Sequence, residues 1–307
     1  MEKRNRMDVF MPVLKLVWEK TRLVDARRMK REKYPEGIKE YRDIPYLDDG
    51  DMYHLLDIYM PADAGTSLPV MIDIHGGGWM YGTKEINRCY CHRLAAQGFI
   101  VASINYRLAG KVLFREQITD IFSAFGWIGE NLESYGADMK NVFLTGDSAG
   151  GHFACVCAAL TKSESLRKEF GIHNNPLQFN AVGATSPVVD LLSPNIILNV
   201  NLRMLLGSNL RKSPFYKYMK FDNIALPDMP PFYILTSSGD FVHSQSHKLK
   251  KVLDNLGVPN QLRDWKCRYK GKRLPHCFAV LDSASRPAEI VIREMADFFK
   301  KYINKPI

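Results

Sequence analysis

A serine at the centre of a short glycine-containing motif could carry nucleophilic chemistry. Ser148 stands in the pentapeptide Gly-Asp-Ser-Ala-Gly at 146–150, directly after the apolar run 141–145. Glycines on both sides of a serine permit a sharp turn from strand to helix that exposes the hydroxyl. The run before the motif predicts a strand, and the small residues after it predict the start of a helix. The sequence therefore predicts an activated serine at position 148.

A second motif, His-Gly-Gly-Gly-Trp at 75–79, also follows an apolar run. Because glycine has no side chain, the backbone amides of this loop can point at a ligand oxygen without obstruction. A serine that attacks a carbonyl needs such donors, since negative charge develops on the carbonyl oxygen in the transition state. We therefore expect this glycine loop to supply part of an oxyanion hole.

The serine also needs a base, and the base needs an acid that orients it. Among the eight histidines, His276 follows the last predicted strand and precedes the last predicted helix. Asp240 follows the predicted strand 232–236, whereas Asp254 falls within a predicted helix and Asp264 within a predicted strand. The resulting chain order of nucleophile, acid and base is the order typical of α/β-hydrolases. We therefore predict His276 as the base and Asp240 as the acid.

The spacing of the histidines and cysteines bears on metal binding. His243 and His247 stand four residues apart on a predicted helix, a spacing that could bind a metal, but the sequence suggests no third ligand. We interpret the pair as surface or packing residues. The six cysteines include two Cys-x-Cys pairs without the two-residue gap of common zinc sites, and we expect reduced thiols. No metal is expected.

Short apolar strands alternate with helical segments around these motifs. Strands are predicted at 41–46, 53–59, 70–75, 99–105, 142–145, 179–184, 232–236 and 261–265, and helices at 84–97, 115–132, 149–160, 245–256 and 287–302. This alternation predicts an α/β fold with a mostly parallel sheet and helices on both faces. The helix predicted at 8–33 and the segment 188–228 do not fit it. We expect an N-terminal cap element over 1–37 and a catalytic domain over 38–307 with a cap insertion at 188–228.

The composition narrows the classes of function. The chain has 307 residues, of which 46% are hydrophobic, enough for one α/β domain with an insertion. The net charge is +9, but residues 1–33 hold 11 Lys or Arg against 5 acidic residues. The basic character therefore belongs to one segment, and nucleic-acid binding is not expected. Since the sequence has neither a secretory-signal pattern nor an apolar run of roughly 18 residues, we expect a cytoplasmic protein and disfavour membrane binding.

At these motifs the chain resembles the α/β-hydrolase superfamily and, within it, the hormone-sensitive-lipase-like carboxylesterases. The resemblance covers most of residues 40–305 and includes Val-Ala-Ser-Ile-Asn-Tyr-Arg-Leu at 101–108. It implies the α/β-hydrolase fold with a helical cap, and ester hydrolysis without a metal or an organic cofactor. It also implies that the amides of Gly77, Gly78 and Ala149 form the oxyanion hole.

The function predicted from the sequence is that of a serine carboxylesterase for short-acyl esters, acetyl esters among them. Bulky residues near both motifs favour short acyl groups, and Trp79, Tyr81 and Phe241 are the predicted substrate-binding residues. One alternative is an amidase, peptidase or formamidase with the same triad, because His152 is closer to acetyl-esterase and formamidase relatives. An alternative from another class is a non-catalytic ligand receptor on the same fold. The expected partner is a small-molecule ester, and the sequence leaves open whether the chain forms a homodimer.

Overall fold

The computed structural model describes residues 6–63, 65, 67–173, 177–193 and 196–304, and at 6–15 and 196–199 it describes the backbone only. Contacts divide the chain into two compact units, Met1–Lys33 and Tyr34–Ile307. The described residues of the first unit form the helix α1 (Arg6–Met29), which ends four residues before the predicted helix 8–33 does. Among the described residues, no helix combines the length and the apolar character needed to cross a bilayer.

An eight-stranded sheet forms the centre of the second unit. Its strands are β1 (Ile38–Pro45), β2 (Leu55–Pro61), β3 (Leu68–Ile74), β4 (Ile100–Ile104), β5 (Ala137–Asp147), β6 (Ala181–Thr185), β7 (Phe232–Ser237) and β8 (Asn260–Trp265). They lie in the order β1-β2-β4-β3-β5-β6-β7-β8. The pairs β1–β2 and β2–β4 are antiparallel and all other pairs are parallel. The predicted mostly parallel sheet is therefore confirmed.

Helices and one small hairpin complete this unit. The helices are α2 (Arg88–Ala95), α3 (Phe114–Asn131), α4 (Ala149–Lys162), α5 (Glu164–Phe170), α6 (Ile196–Leu206), α7 (His243–Leu256), α8 (Phe278–Leu281) and α9 (Arg286–Lys300). The hairpin pairs β9 (Arg268–Tyr269) with β10 (Lys272–Arg273). The helix α2 connects β3 to β4, toward one edge of the sheet. The helices α3 and α4 connect β4 to β5 and β5 to β6, toward the other edge. Because crossovers between parallel strands are right-handed, α2 lies on the face opposite to α3 and α4.

The central strands are buried on both faces, as expected for a sheet covered by two helical layers. Every residue of β4 and of β6 is buried. On the α2 face, Leu94, Phe278 and Val291 bring α2, α8 and α9 into one apolar cluster. The continuous apolar runs of the sequence thus correspond to the middle of the sheet.

Some predicted elements differ in detail. The predicted helix 84–97 begins as a 3₁₀ turn, Lys84–Asn87, before α2 starts. The turn after β1 leads into a 3₁₀ turn at Met52–His54 instead of directly into β2. In its described residues, the segment 188–228 contains α6 and three short 3₁₀ turns between β6 and β7. Its role as a cap stays a prediction.

Candidate active site

Ser148 occupies the tight turn between β5 and α4. Its backbone angles, φ +53° and ψ −113°, lie in a region that residues with side chains rarely adopt. A Cβ atom on Gly146 would overlap the carbonyl oxygen of Gly150, and one on Gly150 would overlap that of Ile74. Ser148 is partly exposed, whereas the residues on either side of it are buried. The glycines therefore allow a turn that brings this hydroxyl to the surface at the end of the sheet.

The structure brings Ser148, His276 and Asp240 into one hydrogen-bonded row. His276 Nε2 lies 2.9 Å from Ser148 Oγ, and His276 Nδ1 lies 2.7 Å from Asp240 Oδ1. The Asp240 carboxylate also accepts hydrogen bonds from the amide of Val242 at 2.9 Å and from the hydroxyl of Thr236 at 3.2 Å. Three loops at the same end of the sheet supply the row, because the strands before them are parallel.

The electrostatics of this row favour a charged acid. Burial disfavours the ionised form of Asp240, but the hydrogen bond and the charge of His276 outweigh it, so the pKa of Asp240 falls below its ordinary value. An ionised carboxylate beside Nδ1 favours the imidazole tautomer that carries its hydrogen on Nδ1. His276 Nε2 is then free to accept the proton of Ser148.

Left-handed backbone angles fold the glycine loop after β3. Gly77 has φ +108°, Gly78 has φ +58° and Trp79 has φ +65°. The amide of Tyr81 donates to the Gly77 carbonyl at 3.0 Å, and a Cβ atom on Gly77 would overlap the Tyr81 carbonyl oxygen. Gly77 and Gly78 are partly exposed. Ala149 opens α4, and the first amides of a helix have no acceptor within it.

A carboxylate joins the glycine loop to the turn that holds Ser148. Asp147 Oδ1 accepts the backbone amide of Gly76 at 2.9 Å and the side-chain amide of Asn87 at 2.9 Å. A Cβ atom on Gly76 would overlap the Asp147 side chain, so the close approach requires glycine. Neither Asp147 nor Asn87 was among the site residues predicted from the sequence. The sequence feature that could have indicated a role in the site is the acidic Asp147 among the small residues of the Gly-Asp-Ser-Ala-Gly motif.

Asn87 also contacts a second, fully buried carboxyl group. Asp73 Oδ2 accepts from Asn87 Nδ2 at 3.0 Å, from Ser103 Oγ at 3.4 Å and from Cys91 Sγ at 3.5 Å. Burial, together with the nearby charge of Asp147, raises the pKa of Asp73 to about 7. Asp73 was not among the predicted site residues, because it lies inside an apolar run of the sequence.

The three predicted substrate-binding residues occupy different environments. Trp79 is buried, and its indole Nε1 donates to His152 Nδ1 at 3.2 Å. Burial lowers the pKa of His152 to about 3, so this imidazole is neutral and able to accept. Tyr81 is half-buried, and Phe241 is 78% exposed with its ring centroid 4.4 Å from that of His276. Trp79 thus packs behind the glycine loop, Phe241 lies beside the predicted base, and their substrate contacts stay predictions.

Comparison with known proteins places the chain in a family. The BD-FAE family model matches residues 56–253. Carboxylesterase NlhH of Mycobacterium tuberculosis is 31% identical over 176 residues, which cover 57% of this chain and 52% of NlhH. Esterase LipQ of the same organism is 28% identical over 227 residues, which cover 70% of this chain and 53% of LipQ. The chain spans about half the length of these curated relatives.

Solved structures extend the similarity over nearly the whole chain. The crystal structure of esterase B from Lactobacillus Rhamnosis (HN001) has a TM-score of 0.91 and 30% sequence identity, over 97% of this chain and 96% of that one. A structure of the same esterase with a C4-C4 SN3 tributyrin phosphonate inhibitor has a TM-score of 0.90 and 30% identity, over 96% of both chains. The family match, the sheet order and the geometry of the serine turn agree, and the chain belongs to the BD-FAE family and to the hormone-sensitive-lipase-like carboxylesterases of the α/β-hydrolase superfamily.

Proposed function

We propose that this protein is a serine carboxylesterase that hydrolyses short-acyl esters through an acyl-enzyme on Ser148. The observation that carries the proposal is the row from Ser148 Oγ through His276 to Asp240, with separations of 2.9 and 2.7 Å. Both distances are those of direct hydrogen bonds, as a nucleophile, its general base and the orienting acid require.

In the first half of the reaction, Ser148 Oγ attacks the ester carbonyl carbon while His276 Nε2 takes the hydroxyl proton. The carbonyl oxygen becomes an oxyanion and accepts hydrogen bonds from the amides of Gly77, Gly78 and Ala149. The tetrahedral intermediate then breaks the bond to the alcohol oxygen. His276 returns its proton to that oxygen, so a neutral alcohol leaves and the acyl group stays on Ser148.

In the second half, water replaces the alcohol. His276 takes a proton from the water, whose oxygen attacks the acyl carbon, and the same amides bind the second oxyanion. The bond to Ser148 Oγ breaks, the serine regains its proton from His276, and the carboxylic acid is released. The Asp240 carboxylate stabilises the imidazolium that forms in both halves.

Two observations support a preference for short acyl groups. Esterase B, which is similar over nearly its whole length, was crystallised with a tributyrin-derived phosphonate. In this chain, aromatic side chains pack together behind the glycine loop, where the Phe114 and Phe153 rings stack at 6.0 Å and Trp79 contacts His152 edge-on at 5.6 Å. We expect acetyl to hexanoyl esters to react faster than long-chain esters, and acetyl esters to be among the substrates.

A chain-length series combined with covalent labelling tests this function. Rates on p-nitrophenyl acetate, butyrate, hexanoate and palmitate are expected to peak among the three shorter esters. A serine-directed phosphonate should label the peptide that contains Ser148 in the parent and in the control Ser123→Ala, but not in Ser148→Ala. Faster turnover of palmitate than of butyrate would refute the acyl-size proposal, and labelling of another serine would refute the mechanism.

Amide hydrolysis by the same three residues is the principal rival. His152, which pointed toward formamidase relatives, is fully buried and bonded to Trp79, so it lends no support to amide over ester substrates. Matched p-nitrophenyl butyrate and butyryl-p-nitroanilide separate the two activities, and we expect the ester to react faster. Ligand binding without turnover of either substrate would support the receptor alternative, which the intact row of Ser148, His276 and Asp240 disfavours.

We also propose that residues 1–37 and 188–228 act as cap elements. The second segment begins beside the serine turn, since the amide of Val188 donates to the Ser148 carbonyl at 3.4 Å. Deletion of residues 1–33 is expected to change KM and the range of esters hydrolysed while the melting transition of the remainder persists. Unchanged kinetics after this deletion would show that the N-terminal helix does not take part in substrate selection.

A further inference from the structure

Two histidines and an aspartate converge where α7 lies against β8. His243 and His247 are one turn apart on α7, and their ring centroids are 4.6 Å apart. Asp264, on β8, directs Oδ1 to His243 Nε2 at 3.1 Å and Oδ2 to His247 Nε2 at 3.3 Å. One donor atom from each residue lies within 4.8 Å of the other two. The fold thus brings to the histidine pair a third group that the sequence spacing does not predict.

We propose that His243, His247 and Asp264 form a binding site for a divalent transition-metal ion, with Zn²⁺ as the best match. Two imidazole nitrogens and one carboxylate are a donor set that Zn²⁺ accepts, whereas Ca²⁺ and Mg²⁺ prefer oxygen alone. Metal–ligand bonds of about 2.1 Å put the donors of a tetrahedral site about 3.4 Å apart. His243 Nε2 lies 3.1 Å from Asp264 Oδ1 and His247 Nε2 lies 3.3 Å from Asp264 Oδ2, both near this value, and the carboxylate can offer either oxygen to the ion.

The exposure of the three side chains suits an open metal site. The Asp264 side chain is 11% exposed, so the carboxylate is held in place by its surroundings. The imidazoles are 36% exposed for His243 and 46% exposed for His247. The ion can therefore approach from solvent, and water completes its coordination.

One neighbouring cation competes with the ion. Lys266 Nζ lies 4.0 Å from Asp264 Oδ2, and the lysine side chain is 78% exposed. A long, exposed side chain turns away into solvent at little cost, but its charge lowers the local concentration of other cations. Removal of this charge should therefore strengthen metal binding.

The site borders the loop that holds Asp240. The His243 amide donates to the Asp240 carbonyl at 3.1 Å. Asp264 pairs with Thr236 across β7 and β8, and the Thr236 hydroxyl donates to the Asp240 carboxylate. A metal ion that links α7 to β8 would therefore restrain this loop from both sides. Any effect on turnover rests on the proposed function, whereas metal binding itself does not.

Calorimetric titration of the tag-free, metal-stripped full chain with ZnCl₂ tests the proposal. We expect saturable binding of one ion per chain, and a melting temperature that rises with Zn²⁺ because the ion binds the native state preferentially. His247→Ala and Asp264→Asn should each weaken binding by at least about tenfold, since even loss of an outer-shell partner costs a metal site about 10- to 100-fold. Lys266→Gln should tighten it.

Two control variants identify other sources of binding. His173 is an exposed histidine remote in sequence, and Cys267 is an exposed thiol three residues after Asp264. His173→Ala and Cys267→Ser should both bind Zn²⁺ as the parent does. Melting curves without metal establish that each variant is folded. The proposal fails if the parent shows no saturable binding, if binding survives both His247→Ala and Asp264→Asn, or if Cys267→Ser abolishes it.

Discussion

The backbone amide of Gly76 donates to the carboxylate of Asp147 across 2.9 Å, and this bond joins two loops that are 71 residues apart in the chain. Gly76 precedes two of the amides proposed for the oxyanion hole, and Asp147 precedes the proposed nucleophile. This buried carboxylate therefore ties the proposed nucleophile to the loop that carries two of the proposed oxyanion donors.

Asp147→Ala should reduce turnover more than substrate binding. We expect kcat on p-nitrophenyl butyrate to fall by about 10- to 100-fold with little change in KM, because a misplaced oxyanion loop affects the transition state most. The free energy of unfolding should fall by about 1.5–3 kcal/mol, the range for hydrogen bonds to charged groups. Asp147→Asn, which keeps an oxygen for the Gly76 amide, should recover much of kcat. Equal losses in both variants would contradict a positioning role.

Ser148→Ala should remove the chemistry and leave the fold. We expect kcat to fall by about 10⁴- to 10⁶-fold, as in other hydrolases that lose the serine nucleophile. The backbone conformation at this position is as accessible to alanine as to serine, so the melting temperature should stay near that of the parent. Near-normal kcat in the folded variant would overturn the proposed mechanism.

Gly77→Ala should damage both stability and activity, because a Cβ atom at this position meets the Tyr81 carbonyl and φ is +108°. Gly126→Ala is the matched control. Gly126 lies within α3, and a Cβ atom there meets no atom within 4 Å. Because alanine favours the helix, the control should gain roughly 0.4–1 kcal/mol in the free energy of unfolding and keep parental kcat. Full activity in Gly77→Ala would contradict the proposed oxyanion loop.

Asp73 should make stability depend on pH. Its pKa is about 7 in the folded chain against an ordinary value of 3.8, so the folded state binds this proton more tightly. The stability that the protonated Asp73 carboxyl contributes is therefore complete below about pH 4 and is lost as the pH rises through about 7. Asp73→Asn stays neutral, and its stability relative to the parent should rise by about 2–3 kcal/mol between pH 5 and pH 8. Urea unfolding at both values measures this, and a constant difference would contradict the raised pKa.

The basic hairpin β9–β10 should favour anionic esters. Lys270, Lys272 and Arg273 are exposed just before His276, and surface charges act over about 8 Å at physiological ionic strength. We expect kcat/KM for a carboxylate-bearing ester, relative to its neutral isostere, to fall with added salt and after combined substitution of the three residues by alanine. A ratio that responds to neither change would exclude substrate steering by this hairpin.

The sequence alone determined the features that depend on local backbone geometry and on chain order. The Gly-x-Ser-x-Gly turn could be predicted from the sequence because the steric requirement for glycine acts within a few residues of Ser148. The alternation of strands and helices followed from apolar runs, so the mostly parallel sheet was predicted and is confirmed. His276 and Asp240 were predicted as partners because each follows a late strand, and parallel strands end at the same edge of a sheet.

Which distant polar groups meet depends on how the strands and helices are arranged in the folded chain. The order β4-β3-β5 brings Asp73, Asn87 and Asp147 together, and the pairing of β7 with β8 under α7 brings Asp264 to His243. The period of an apolar run shows which strand is buried but not which strand lies beside it. A buried carboxylate acquires its hydrogen bonds and its pKa from those neighbours. The polar links behind the serine turn and the histidine–aspartate cluster therefore became visible only in the folded chain.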